Sequence, residues 1–319
     1  MRRSLLLLVL AAACVRRHTA AEPRWIAGDG LFMVPERFAP GVVSGENVWK
    51  GSFTPDGDTL YYFRHLPSGG ASYMIVSTHR QGDGSWSAPA RVTLGGDFSD
   101  LYPAISPDGK RMVFTSYRPV PGEPAGPSPN ASLWAVTRTK HGDWSAPQYL
   151  EGMGIPGQYH SQTGFDASGA LYYRVAMPGE RFDPTFVSYW TGRAFEAPVA
   201  YMPVNFWMGR VGDTLFVWGG QPRPDGHAVI LEVSRYDAGH RPGPADLWIT
   251  CDSERGWTIP RPMPDSINTA GNENFVFFAP DAKRMYFVRD FRELLSVPAP
   301  VDCEGLSPGS VGAIHDARP

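Results

Sequence analysis

The sequence has little charge and no long run of one sign. Asp, Glu, Lys and Arg make up 19% of the 319 residues, and the net charge is −3. Soluble domains usually carry about 25% charged residues. No Lys/Arg run follows the N-terminal segment, so the electrostatic signature of a nucleic-acid-binding protein is missing. Hydrophobic residues reach 42%, which argues against a disordered chain and provides material for a large core.

Motifs that mark several common enzyme classes are also absent. The chain has no Gly-x-Ser-x-Gly nucleophile elbow, no phosphate-binding loop, no Cys-x-x-Cys and no His-Glu-x-x-His. No tight group of His, Cys, Asp and Glu shows metal-ligand spacing. We therefore expect neither a metal nor another cofactor.

The first residues form a short targeting segment. A basic start (Met1-Arg2-Arg3) and a short apolar run precede Ala11-Ala12-Ala13 and Cys14. The apolar run is too short to cross a bilayer as a helix, which needs about 20 residues. The segment resembles a bacterial lipobox with Cys14 as the lipidated residue; the alternative is a secretory peptide cleaved near Ala20 or Ala21. Either route exports the protein, and lipidation places it in the periplasm or on the outer membrane.

Cysteine is scarce, with three residues in the chain. If Cys14 carries a lipid, Cys251 and Cys303 remain as an even pair in an oxidising compartment. They form either a disulfide or two buried free thiols, because spacing along the chain does not determine the separation of the two Cα atoms.

Glycine and proline are abundant, with 35 and 31 residues, and they recur at intervals. A Pro-Asp-Gly turn followed by an aromatic, apolar segment occurs at 54–65 (TPDGDTLYYFRH) and at 106–119 (SPDGKRMVFTSYRP), with a close copy at 279–290 (APDAKRMYFVRD). Pro-Asp-Gly presets one turn dihedral and supplies a residue that tolerates positive φ. The residues that follow favour a half-buried strand. We therefore interpret these turns as structural.

Each of the first four repeats contains four strand-like segments, and the fourth segment is marked by an aromatic residue three positions before a proline. These aromatic residues are spaced by 58, 51 and 62 positions: Trp86, Trp144, Phe195 and Trp257. Four-stranded sheets repeated around an axis are the blades of a β-propeller. Proline suits the outer edge strand, which can spare a backbone donor.

The repeats predict an all-β propeller of five blades. In the fourth repeat we match GDTLFVW at 212–218 with GDTLYYF at 57–63. A sixth blade is the alternative, hidden in 204–265, where 221–237 carries another Pro-Asp-Gly. The fifth repeat lacks its outer strand, and we expect residues 30–40 to supply it and to close the ring.

Three segments follow from this interpretation of the chain. Residues 1–21 are the signal or lipoprotein segment with a linker, 22–305 form a single propeller domain, and 306–319 are a C-terminal tail. We expect a monomer that contacts the membrane only through an N-terminal lipid.

The repeats also carry a family resemblance. The segments AISPDGKRMVFTSYRP, SFTPDGDTLYYFRH and ADLWIT…GWTIPRPMPDSINTAGNENFVFFAPDAKRMYF resemble the TolB-like family of WD-repeat-like propellers. The resemblance covers about residues 45–290 and implies the fold. It leaves function open, because propellers of this family serve as periplasmic scaffolds, as accessory domains of peptidases and, in a few cases, as lyases.

Candidate ligand groups lie on the face opposite the Pro-Asp-Gly turns. Nine residues before the last turn residue, at the start of each inner strand, stand Val48, Asp100, His160 and Glu273. Arginines follow the second strands at Arg64, Arg118, Arg174 and Arg289. We expect these groups to face the channel mouth, where they either bind a polar ligand or neutralise one another as structural ion pairs.

Two hypotheses for function remain, and we favour the first. The first is an exported, non-enzymatic propeller that binds a partner protein or an envelope glycan. The second is a polysaccharide hydrolase or lyase that works through Asp100, His160 and Glu273. Carboxylates about 5–10 Å apart across an open pocket would suit glycosidic chemistry. Carboxylates that are each paired with an arginine would not.

Overall fold

The computed structural model describes residues 33–45, 47–66, 71–155, 157–177, 183–208, 214–237, 241–253 and 256–300. Over these residues the chain forms twenty β-strands and one short helix. The strands make five four-stranded antiparallel sheets, and the fold is the five-bladed β-propeller that the repeats predict. Cys14, Cys303 and the tail 306–319 lie outside the described residues.

The strands follow one another blade by blade. Blade 1 contains β2 (Val48–Phe53), β3 (Thr59–His65), β4 (Tyr73–His79) and β5 (Ala90–Arg91). Blade 2 contains β6 (Asp100–Ile105), β7 (Arg111–Ser116), β8 (Ser132–Thr137) and β9 (Gln148–Tyr149). Blade 3 contains β10 (His160–Phe165), β11 (Leu171–Val175), β12 (Thr185–Ser188) and β13 (Val199–Ala200).

The helix α1 (Met202–Met208) separates blades 3 and 4. Blade 4 contains β14 (Leu215–Pro222), β15 (Ala228–Tyr236), β16 (Pro242–Cys251) and β17 (Arg261–Pro262). Blade 5 contains β18 (Glu273–Phe278), β19 (Arg284–Arg289), β20 (Glu293–Pro298) and β1 (Glu36–Arg37). No helix in the described part of the chain is long and apolar enough to cross a membrane.

The Pro-Asp-Gly turns connect the inner strand of a blade to its second strand. In blade 2 the Asp108 carboxylate accepts hydrogen bonds from Ser106 Oγ at 2.5 Å and from the Lys110 amide at 3.0 Å. Gly109 has φ = +68°, and a Cβ there would lie 3.3 Å from the Pro55 ring of the neighbouring turn. The turn thus needs glycine both for its backbone conformation and for its packing.

Blade 4 corrects the match that we made for the fourth repeat. GDTLFVW does not correspond to a second strand, because residues 215–222 form the inner strand β14. The turn is Pro224-Asp225-Gly226, and the second strand is β15. Residues 221–237 therefore belong to blade 4, and the alternative of a sixth blade is wrong. Inner and second strands are both largely buried, so apolar content alone did not distinguish them.

Every inner strand carries a bulge near its middle. The pairing register with the second strand shifts there in all five blades. The bulged residue stands seven positions before the last turn residue, and in four blades it has a positive φ: Tyr102 at 50°, Gln162 at 52°, Gly219 at 131° and Phe275 at 56°. Lys50 takes this position in blade 1. A bulge changes the direction in which a side chain points. The side chains at these positions therefore point in a different direction from those at the start of the strand.

Strand β1 closes the ring, which confirms the predicted role of residues 30–40. Glu36 pairs with Ser296 and Arg37 with Leu295 on β20, so one blade joins the two ends of the chain. Arg37 forms an ion pair with Glu293. Because the closing strand is short, side-chain packing must add to its backbone hydrogen bonds.

Phe38 supplies that packing at the junction between blades 5 and 1. Its ring lies 5.9 Å from Phe53, 5.1 Å from Trp86 and 5.3 Å from Tyr286, measured between ring centroids. Its amide donates to the Leu294 carbonyl at 2.8 Å. One residue therefore joins the closing strand to two blades.

We expect Phe38→Ala to destabilise the whole domain by about 2–4 kcal/mol, since it removes a large ring from an interblade cluster. Chemical denaturation followed by tryptophan fluorescence measures this. Val34→Ala is the matched control, because Val34 is 64% exposed and its loss should cost less than about 0.5 kcal/mol. Equal effects of the two substitutions would contradict closure by this segment.

Candidate functional site

Asp100 and Arg118 form a buried pair within blade 2. Arg118 Nη1 donates to Asp100 Oδ1 at 2.5 Å and Nη2 to Oδ2 at 3.2 Å. Nη2 also donates to the Gly95 carbonyl at 2.7 Å. Asp100 is 8% exposed and Arg118 6%. Burial raises the pKa of Asp100, and the guanidinium opposes that rise.

Glu273 is held in the same manner within blade 5. Arg289 Nε donates to Glu273 Oε1 at 2.8 Å, and Thr269 Oγ1 donates to the same oxygen at 2.6 Å. The Thr269 amide donates to Oε2 at 3.2 Å. Glu273 has no exposed surface. Each of the two acids is thus paired with the arginine of its own blade.

His160 has hydrogen bonds at both ring nitrogens. Nδ1 lies 3.1 Å from the Ala131 carbonyl, and the Ile155 amide donates to Nε2 at 3.1 Å. A carbonyl can only accept, so Nδ1 carries a hydrogen. Nε2 accepts from an amide and carries none, so the imidazole is neutral. Burial lowers the pKa of His160. A Cβ on Gly154 would lie 2.3 Å from Nε2, so the ring is enclosed by backbone.

Arg174 alone among the seven ionisable candidates lines a cavity at the channel mouth. Its Nε donates to Ser161 Oγ at 2.8 Å and its Nη1 to the Trp218 carbonyl at 3.0 Å. Nη1 lies 3.5 Å from a carboxylate oxygen of Asp183. Arg64 pairs with Val48 in the strand register. Asp100 and Glu273 therefore stay within their own blades, and the ring of His160 contacts backbone at the boundary of blades 2 and 3. The three side chains do not bond to one another.

The groups that do meet at the axis come from the bulges and from blade 4. Lys50 is 3% exposed. Its Nζ donates to Gln221 Oε1 at 2.6 Å and to the Gln162 carbonyl at 3.3 Å. These contacts connect blade 1 with blades 3 and 4 across the channel.

Glu232 provides the opposite charge and is 5% exposed. Its Oε2 accepts from Gln162 Nε2 at 2.7 Å, and its Oε1 accepts from the Phe275 amide at 2.8 Å. Glu232 lies opposite Gly219 in the register of blade 4. A Cβ at Gly219 would lie 3.3 Å from Gln162 Oε1, so this glycine leaves room for the network. We call Lys50, Gln162, Gln221 and Glu232 the axial network.

The two charges of the axial network are strongly desolvated. Burial lowers the pKa of Lys50 to about 7, although Glu232 opposes this effect. Burial raises the pKa of Glu232, although Lys50 and Arg174 oppose that rise. Each ionised form thus depends on the other charge, as expected for ions removed from water.

The axial network separates two cavities. One, of about 250 Å³, lies among the Pro-Asp-Gly turns and reaches Lys50 and Gln221. The other, of about 380 Å³, lies on the opposite face. We call the second cavity the loop-side mouth; its lining includes Tyr102, Gln162, Arg174, Trp218, Glu232, Asn274, Phe275 and Phe291.

The sequence contained a signal for the two axial charges. Lys50 stands in VWKGSF and Glu232 in AVILEV, and each is the lone charged residue within those letters. Lys and Glu are seldom fully buried unless they are paired, so a charge in a strand of this kind indicates a partner. Counting nine residues back from the last turn residue selected other side chains. Because of the bulge, the axial side chain stands seven residues before that turn residue.

Other features of the described residues complete the chemical picture. Over these residues no group of three His, Cys, Asp or Glu side chains could hold a metal ion. Cys251 is buried and disulfide-bonded. Its pairing with Cys303 stays a prediction, because Cys303 is outside the described part.

Lys50 should make stability depend on pH. Its folded pKa lies below its unfolded value, so between about pH 7 and 10.5 the unfolded chain binds more protons than the folded one. The free energy of unfolding of the wild type should therefore rise with pH in this window, by at most about 1.4 kcal/mol per unit.

Denaturation at several pH values from 7.5 to 9, with wild type and Lys50→Met in parallel, measures this slope. The substitution should remove the rise. It also removes the cation that lowers the pKa of Glu232. The higher pKa of Glu232 reduces the rise of stability with pH further. Parallel pH profiles of the two proteins would contradict a titrating Lys50.

Comparisons with known proteins find distant structural similarity only. No protein-family model matches the chain, and no curated protein sequence matches it. A periplasmic gluconolactonase from Pseudomonas aeruginosa is similar, with TM-score 0.43 and 13% identity over 76% of this chain and 64% of that one. The chain thus spans just under two thirds of that protein.

Two further propellers show the same level of likeness. A gluconolactonase from Xanthomonas campestris gives TM-score 0.43 and 11% identity over 86% of this chain and 97% of that one. A putative TolB from Agrobacterium tumefaciens gives 0.39 and 11% over 79% and 90%. At these identities the similarity concerns the fold alone, and function has to be argued from the site.

Proposed function

We propose that the protein is an exported, non-enzymatic propeller that binds a saccharide of the cell envelope in the loop-side mouth. The observation that carries the proposal is a buried acceptor beside aromatic rings. Asn274 is 7% exposed, and its Oδ1 has no hydrogen-bond partner among the described residues. An unsatisfied buried acceptor costs about 1–3 kcal/mol. A ligand hydroxyl that donates to Oδ1 would remove this cost.

The aromatic residues of the mouth supply apolar surface for such a ligand. Trp218 is half-buried and Phe291 is 37% exposed. Phe275 lies between blades 5 and 1, with its ring centroid 5.9 Å from that of Phe291. The apolar face of a sugar ring packs on aromatic side chains while its hydroxyls bond to polar neighbours. Few polar groups on a mostly apolar lining are usual for a ligand pocket.

The charges of the mouth favour a neutral ligand. Arg174 and Glu232 both line it, and they have opposite signs. The arginine is engaged with Ser161, Trp218 and Asp183, so it is poorly placed to select an anion. A hydroxyl-rich neutral sugar needs no charge compensation, and it fits the acceptors and donors of Asn274 and Gln162.

The arrangement of carboxylates argues against glycosidic catalysis at this mouth. Glu232 is the one acidic side chain among the described lining residues. Most glycosidases need two carboxylates that flank the scissile bond. Asp100 and Glu273 are each bonded to an arginine within their own blades. The pairing that we set as the criterion against hydrolysis is therefore present.

Export and anchoring complete the proposal. Attachment through a lipid on Cys14 would hold the propeller at an envelope membrane, where glycans are abundant. Residues between Cys14 and β1 would serve as the tether. This part rests on the N-terminal sequence motif alone.

Screening on an array of envelope oligosaccharides, followed by titration calorimetry with the best one, tests binding. We expect Trp218→Ala to weaken binding at least about tenfold, which is about 1.4 kcal/mol. Trp218→Phe keeps a ring and should recover part of the affinity. Trp190→Ala is the matched control, since Trp190 packs edge to face with Phe195 at the outer edge of blade 3, away from the mouth.

The outcomes separate the alternatives. Equal affinity in wild type and Trp218→Ala would show that the sugar binds elsewhere. New reducing ends after incubation with wild type would establish a hydrolase, and new unsaturated ends a lyase. Absence of binding to every oligosaccharide on the array would overturn the saccharide proposal in favour of a partner protein.

A further inference from the structure

The cavity on the turn side of the axial network is distinct from the loop-side mouth. We call it the turn-side cavity. Its rim consists of equivalent turn residues from all five blades, namely Pro55, Pro107, Ala167, Pro224 and Pro280. Four of these five are exposed, and Pro224 is half-buried, so the cavity of about 250 Å³ opens toward solvent. Its walls include Phe53, Phe165 and Phe277.

Lys50 lies at the inner end of this cavity, whose lining combines the phenylalanine rings with polar side chains such as Thr163 and Gln221. Nζ has two acceptors: Gln221 Oε1 at 2.6 Å and the backbone carbonyl oxygen of Gln162 at 3.3 Å. Two acceptors match the two N–H groups of a neutral amine. In that form the nitrogen also has one lone pair, and the hydrogen bonds among the described residues include no donor to it. An apolar enclosure is also the environment that activates lysine amines, because it disfavours the ammonium form.

The choice of lysine at this position is unusual for this chain. The sequence contains four lysines, Lys50, Lys110, Lys140 and Lys283. The last three are exposed. The buried ion pairs described above, between Arg118 and Asp100 and between Arg289 and Glu273, use arginine. Arginine stays charged in proteins, whereas lysine can lose its proton and then act as a nucleophile.

We propose that Lys50 is a reactive amine that condenses with a small apolar aldehyde or ketone entering through the turn-side cavity. The lone pair of Nζ attacks the carbonyl carbon to give a carbinolamine. The carbonyl oxygen then leaves as water with the two amine hydrogens, and a C=N bond joins Nζ to the ligand. No oxidant or reductant takes part. When the imine is protonated, its single N–H can still donate to Gln221 Oε1.

The charged groups around Nζ are compatible with this chemistry. Glu232 on β15 and Arg174 on β11 act on Lys50 with opposite signs. Asp166, at the end of β10, lines the same cavity. Its carboxylate accepts from Ser168 and Tyr172, so it is engaged in its own turn. The rings of Phe53, Phe165 and Phe277 favour a carbonyl compound with an apolar body.

Reductive trapping tests the proposal on the wild-type protein. The protein is incubated at pH 7 with benzaldehyde or, separately, propanal in the presence of cyanoborohydride, and the alkylated lysines are quantified by peptide mass spectrometry. The three surface lysines serve as internal controls. We expect early labelling of Lys50 to exceed that of each surface lysine at least tenfold. Lysine side chains in water are almost entirely protonated at this pH, so their reactive neutral fraction is small.

A second variant tests the entry route. Ala167→Trp places a bulky ring on the exposed rim and should slow labelling of Lys50 severalfold while leaving Lys283 unchanged. The proposal is overturned if neither aldehyde labels Lys50 above the surface lysines. An unchanged Lys50 rate in Ala167→Trp would overturn the turn-side route. Because the saccharide site lies on the opposite face, failure here leaves the proposed function standing, and the converse also holds.

Discussion

The buried side chains of Lys50 and Glu232 lie at the axis of the propeller and have opposite charges. Each charge stabilises the ionised form of the other against the cost of burial. Gln162 connects the two side chains, because its backbone carbonyl accepts from Lys50 and its side-chain amide donates to Glu232. Gln221 also accepts from Lys50, so these bonds join blades 1, 3 and 4, and the Phe275 amide adds blade 5. A buried charge that loses its partner is strongly unfavourable. The network therefore fixes the relation of four blades at one point and separates the two cavities.

The repeat architecture followed from local chemistry. Pro-Asp-Gly turns and the aromatic residue before each outer-strand proline predicted the four-stranded blades, and the unpaired fifth repeat predicted closure by the N-terminal segment. The fourth repeat was aligned wrongly because the resemblance between GDTLFVW and GDTLYYF outweighed the turn at Pro224-Asp225-Gly226. Turn residues with a defined backbone role locate strands better than apolar letters, which are shared by inner and second strands.

The site was harder to predict, because one bulge per inner strand changes which residue faces the axis. Counting nine residues back gave Asp100, His160 and Glu273, which the structure pairs with arginines of their own blades or, for His160, with backbone atoms. The axial positions lie two residues later, at Lys50, Gln162 and Phe275. A bulge depends on backbone conformation that no residue type enforces at these positions, since lysine, tyrosine, glutamine, glycine and phenylalanine all occur. Only the isolated charges of Lys50 and Glu232 indicated the axis.

A double-mutant cycle between Lys50→Met and Glu232→Gln measures the central claim directly. The free energies of unfolding of wild type, both single variants and the double variant are compared at pH 7. The account predicts that each single change costs about 3–5 kcal/mol, and that the double variant loses at least about 1 kcal/mol less than the sum. Additivity within about 0.5 kcal/mol would show that the two residues act independently and would contradict the axial network as the constraint that organises the fold.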